Sequence, residues 1–139
     1  MESFDLQVNG YAGVDFNSGE LTAGALAGAC EALKIDGVGG VLATVITDDL
    51  EVMCRRIARV VKFRGESVVA EAMVRGIHIE GPFLNETRGE IGAHPAKSVL
   101  KAEVGAAERL LEAAAGLARI VTLAPERDDE FLVTKFLVD

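Results

Sequence analysis

The sequence predicts an α/β protein built on a parallel sheet, and three observations lead there. Short strand-like apolar runs alternate with segments of helical periodicity along the whole chain. One of the runs, Gly40–Ile46, is almost continuously apolar, the pattern of a parallel strand covered on both faces. No tight-turn signal joins adjacent strands, so the connections are crossovers, which are right-handed in nearly all proteins.

The first strand is read from Phe4 to Asn9, whose strict alternation puts Asp5, Gln7 and Asn9 on a polar face; Gly10, Gly13 and Gly19 then mark a long loop. Leu26, Cys30 and Leu33 recur at helical spacing within Leu21–Leu33, and Asp36-Gly37 is the stop signal. After the second strand, Asp48 and Glu51 make a capping-box pair ahead of the stripe Leu50, Met53, Cys54, Ile57 and Val61. Val74–Ile79 is the third strand. A helix over Val99–Ala115 follows on Val104, Ala107, Leu111 and Ala114, then a fourth strand over Arg119–Ala124. Asp128-Asp129-Glu130 opens a last helix on Phe131, Leu132 and Phe136. This rhythm fits either an open doubly wound sheet or part of an eight-stranded β/α barrel. A whole barrel takes about 250 residues, so roughly half of one is expected in 139.

Composition narrows the function. Half the residues are apolar and 26% are charged, and the mean hydropathy of +0.28 leaves apolar surface for a partner. The net charge is −8 and no Lys or Arg precedes Lys34, so a nucleic-acid footprint is missing. No Gly-x-Gly-x-x-Gly opens a helix, which removes the dinucleotide-binding reading. Cys30 and Cys54 lack metal-type spacing and are expected as reduced, buried thiols. With neither a signal-type N-terminus nor an apolar run of membrane-spanning length, a cytoplasmic protein is expected.

The most informative stretch is Gly76-Ile77-His78-Ile79-Glu80-Gly81-Pro82. Alternation puts Ile77 and Ile79 under helices and His78 and Glu80 on the opposite face. Glu80 falls at the C-terminal strand end, where parallel α/β folds place reacting groups. A carboxylate there serves either as a metal or catalytic group or as a buried acceptor of loop amides. His78, one layer deeper, is read as a hydrogen-bonding residue before a ligand. His94, in Gly92-Ala93-His94-Pro95, either touches a substrate or is solvated.

The segments Asp5–Gly10, Gly13–Asn17, Ile77–Asn85, Gly92–Pro95 and Val121–Glu126 resemble, in order and spacing, the N-acetylglucosamine-6-phosphate deacetylases of the amidohydrolase superfamily. The resemblance implies residues 1–139 as the N-terminal half of a metal-dependent barrel, about four β/α units of an (β/α)8 fold, incomplete by itself. It implies one divalent metal ion, usually zinc, with Glu80 as a ligand, and a substrate loop at Ala93 and His94. Two further histidine ligands and an aspartate acting as base and then acid are implied beyond Asp139, so no catalytic residue is assigned in this stretch and the isolated chain is expected to be inactive. Gln7 and Asn9 stand where most amidohydrolases carry a His-x-His pair, and amides are poor zinc ligands beside imidazole, which implies a single-metal site. The implied partner is a small amino-sugar phosphate, with no nucleic acid and no membrane, in a homo-oligomeric parent enzyme. A competing reading makes the chain a non-catalytic half-barrel that pairs through its open sheet edges.

Overall fold

A computed structural model describes residues 3–138. Four parallel strands form its sheet in the order β1 (Ser3–Val8), β4 (Val38–Ile46), β5 (Val74–Glu80) and β6 (Ala118–Thr122). Their sequential order and shared direction are those the strand–helix rhythm dictates. One difference lies in the first loop, where β2 (Gly10–Tyr11) and β3 (Val14–Asp15) pair as a small antiparallel hairpin. Its turn residues Ala12 and Gly13 have φ of 50° and 81°, the left-handed pair that two-residue hairpins demand.

Helices α1 (Ala23–Ile35), α2 (Leu50–Arg64) and α4 (Val104–Ala114) cover one face of the sheet. Their buried residues Leu26, Cys30, Leu33, Met53, Ile57, Val60 and Leu110 join Val41, Ala43, Val45, Ile77 and Ile79 in a single core. Ile77 and Ile79 are therefore on the helix side. Leu42, Thr44 and His78 are buried on the other side of the sheet, the side that faces inward in a barrel.

Caps and boundaries depart from the sequence reading in specific places. Thr22 caps α1 through the Ala25 amide. The residue before α2 is Asp49, whose side chain makes no capping bond; Asp48 instead pairs with Arg56 at 2.9 Å and Glu51 with Arg109, so the capping box does not form. A short helix α3 (Val68–Met73) has no counterpart in the sequence reading; Ser67 caps it through the Ala70 amide. The helix expected from Val99 begins at Val104, because the Leu100 and Ala102 amides are taken by Pro82 O at 2.8 Å and Arg127 O at 3.0 Å. Its buried face runs through Ala106, Ala107, Leu110 and Ala114, while Val104 is exposed.

The last helix, α5 (Leu132–Val138), buries Val133 and leaves Phe131 and Leu132 more than half exposed. Asp128 is its anchor, accepting from the Val133 amide at 2.9 Å and from the Thr134 amide and hydroxyl at 2.8 and 2.7 Å. Cys30 and Cys54 are both free thiols; Cys30 is buried as expected, but Cys54 is only half-buried. No helix among the described residues is long and apolar enough to cross a membrane.

Candidate metal and substrate site

Strand β1 pairs irregularly with β4. Asp5 sits opposite Val41 and Val8 opposite Ala43, so Leu6 and Gln7 together face the single residue Leu42, which is a β-bulge. The bulge breaks the alternation expected for this strand. Val8 joins the helix-side core, whereas Phe4 and Leu6 line a concavity on the inner face with Leu42 and Ile120. Asp5 shares the register of Val41 and leaves the inner polar row, and its carboxylate accepts from the Gln7 backbone N–H at 2.9 Å.

At the C-terminal mouth of the sheet, Gln7 Nε2 donates to Glu80 Oε1 at 3.2 Å. The Glu80 side chain is 18% exposed, and His94 Nε2 lies 3.8 Å from the same oxygen. Glu80 Oε2 takes no hydrogen bond from the described residues, so one carboxylate oxygen is free to meet a cation. The backbone beneath is fixed on both sides. Thr47 Oγ1 donates to Glu80 O at 2.9 Å, and the Gly81 amide donates to Thr122 O at 3.0 Å. Gly81 has φ of +86° and Thr47 Oγ1 occupies the place a Cβ would take, so only glycine suits this turn.

His78 is buried directly below, with Nδ1 3.0 Å from Leu6 O and Nε2 2.7 Å from Thr122 Oγ1. Both ring nitrogens are thus occupied within the protein, in accord with the hydrogen-bonding reading. Thr122, which stands opposite Glu80 in the β5–β6 register, and Asn17 were not singled out as site residues by the sequence. Asn17 donates from Nδ2 to Thr44 O and accepts the Ile46 amide at Oδ1, at 2.9 and 3.0 Å. Its amide so satisfies the end of β4 on the side where pairing with β1 stops at Ala43. Its position just after the Gly10–Gly13 loop is the sequence signal that could have pointed to it.

The segment from Pro82 to Glu103 carries Ala93 and His94. Asn85 Nδ2 donates to Glu126 Oε1 at 2.8 Å, which holds the Glu126 carboxyl below the usual carboxylate range. Arg127 pairs with Glu86 at 2.9 Å, and Ser98 Oγ donates to Asp49 at 2.7 Å. The His94 amide donates to Ile91 O at 3.3 Å. This segment is therefore tied to the loops after β4 and β6, with His94 turned toward Glu80 and Ala93 exposed beside it. Among the described residues no three His, Cys, Asp or Glu side chains converge as a metal set. The chain supplies one carboxylate and one nearby imidazole.

Relatives place this geometry. The chain is 36% identical over 109 residues to N-acetylglucosamine-6-phosphate deacetylase of Bacillus subtilis, covering 77% of this chain and 27% of that protein. It is 36% identical over 126 residues to the bovine enzyme of the same name, covering 88% of this chain and 30% of that one. The chain is homologous to one segment of the N-acetylglucosamine-6-phosphate deacetylases. The crystal structure of the deacetylase from Mycobacterium smegmatis superimposes with a TM-score of 0.84 at 28% identity, over 99% of this chain and 34% of that one. A point variant of the same deacetylase, in complex with N-acetyl-D-glucosamine-6-phosphate, gives 0.81 at 28% identity, over 99% and 33%. The chain thus spans about 30% of the curated deacetylases it matches, and its four parallel strands are a part of their fold. No protein-family model matches it.

Proposed function

We propose that this chain is the portion of an N-acetylglucosamine-6-phosphate deacetylase that brings one metal ligand, Glu80, and a substrate-contacting loop, Ala93 and His94, to the mouth of an amidohydrolase barrel. The observation that carries this reading is the Glu80 carboxylate at the C-terminal end of β5, held by Gln7 with Oε2 uncommitted. A divalent metal, zinc in the first instance, would there polarise the acetamide carbonyl and lower the pKa of a bound water. Glu80 would hold it through a hard anionic oxygen, the donor type such ions accept. Gln7 presents an amide to Glu80 and no imidazole stands on β1, which supports one metal over two.

His94, 3.8 Å from Glu80, is placed to meet the sugar phosphate where it approaches that ion, with the exposed Ala93 leaving room for it. A single carboxylate does not close a zinc site, so a polypeptide of these 139 residues should not turn over N-acetylglucosamine 6-phosphate. On this reading the complete enzyme is a cytoplasmic homo-oligomer.

The exposed Phe4 and Leu6 on the inner face favour a second reading, a non-catalytic half-barrel that associates with another chain. Assay of the purified, zinc-equilibrated polypeptide separates the two roles. Deacetylation by it alone would overturn the one-ligand account. Activity restored by adding the later strands of a deacetylase as a separate chain would support it.

A further inference from the structure

Three strands meet at one buried ring. His78 belongs to β5, yet its Nδ1 reaches Leu6 O on β1, across the intervening β4, where Thr44 is its register partner. Its Nε2 reaches Thr122 Oγ1 on β6. A carbonyl oxygen only accepts, so Nδ1 carries a proton, and in the neutral ring the Thr122 hydroxyl then donates to the Nε2 lone pair. Leu6 lies in the β1 bulge, where the ladder to β4 is interrupted, and the next residue, Gln7, is the one that donates to Glu80 Oε1. On the other arm, Thr122 lies opposite Glu80 and its carbonyl accepts the Gly81 amide.

We propose that His78 is a positioning residue: through the Leu6 carbonyl it holds the β1 bulge so that the Gln7 amide is set against Glu80, which fixes the direction of the carboxylate. The consequence for metal binding rests on the reading of Glu80 as a ligand; the positioning itself does not. Partners one layer outside a metal ligand commonly change metal affinity by 10–100-fold when lost.

The test uses the isotope-labelled 139-residue chain without metal. In the unmodified protein, imidazole nitrogen spectra should show Nδ1 protonated and Nε2 bare; a ring protonated at Nε2 alone overturns the proposal without any variant having to fold. His78→Asn places an amide donor where Nδ1 was, and His78→Gln places one where Nε2 was. The Gln7 side-chain amide resonance should stay at its original position in His78→Asn. In His78→Gln it should move to where Glu80→Ala, which removes the acceptor, moves it. Equal displacement in both variants, or none in either, overturns the proposal, since a purely structural role would not distinguish them. Zinc is then titrated in while the Glu80 carboxyl carbon is followed. A response weakened about tenfold in His78→Gln relative to His78→Asn supports the coupling to metal. A Glu80 carbon that zinc leaves unmoved in the unmodified protein rejects the ligand reading alone, and the Gln7 result still decides the positioning.

Discussion

Gln7 and Glu80 are 73 positions apart, and the amide of one donates to the carboxylate of the other at 3.2 Å. The contact depends on a bulge, since two residues of β1 face the single residue Leu42. It joins an edge strand to a central one at the mouth of the sheet, across β4. An amide there can steer a carboxylate while adding no second metal ligand, so the two residues have separable effects.

Gln7→Ala in a complete deacetylase bearing this segment should therefore keep one metal per site and weaken its retention about tenfold. Metal content after exhaustive dialysis, with competition against a chelator, measures both quantities. Loss of all metal would make Gln7 a ligand.

The turn after Glu80 predicts a stability effect without any metal. Gly81→Ala must adopt φ of +86° and displace Thr47 Oγ1, which donates to Glu80 O. The cost is about 1–3 kcal/mol for the backbone conformation alone. A urea midpoint unchanged from that of the unmodified chain would contradict this account of the turn.

Asp128 gives a pH dependence of defined sign. Burial pushes its carboxyl up, but the hydroxyl and amide of Thr134 and the amide of Val133 outweigh that and hold it below the ordinary aspartate value. A depressed carboxyl contributes stability above its unfolded value, and that contribution is lost as pH falls through the folded one. The unmodified chain should exceed Asp128→Asn in stability at about pH 5, and the gap should narrow progressively as the pH falls below the ordinary aspartate value of about 3.9. Denaturation midpoints across that range check it; a gap that widens on acidification would contradict it.

The sequence made the interior of the fold legible and its margins much less so. β4 is buried on both faces, where a continuous apolar run has few other places to go, and β5 is buried at every position from Gly76 to Ile79. The α2 stripe was readable at Met53 and Ile57, which are buried in that core, whereas in the last turns Val60 is buried and the expected Val61 only partly so. Phe4 and Leu6 misled, since alternation assumes an unbroken register and the bulge reverses the sides. Phe131 and Leu132 misled as well, because left-handed backbone at Glu130 and Phe131 starts the helix later and brings Val133 inward. Glu80 could be singled out from its place before Gly81-Pro82. Thr122 could not, because its role exists only once β6 lies beside β5.

The central claim is that Glu80 is a metal ligand, and metal stoichiometry in Glu80→Gln tests it most directly. The substitution keeps the size but removes the charge and turns one acceptor oxygen into a donor. In a complete deacetylase bearing this segment, bound metal and turnover should both collapse while the thermal midpoint of the metal-free protein stays within a few degrees of its parent. If Glu80 is only a buried acceptor, the same change should lower stability by about 1–3 kcal/mol and leave the metal in place. A variant that retains one metal per site contradicts the account.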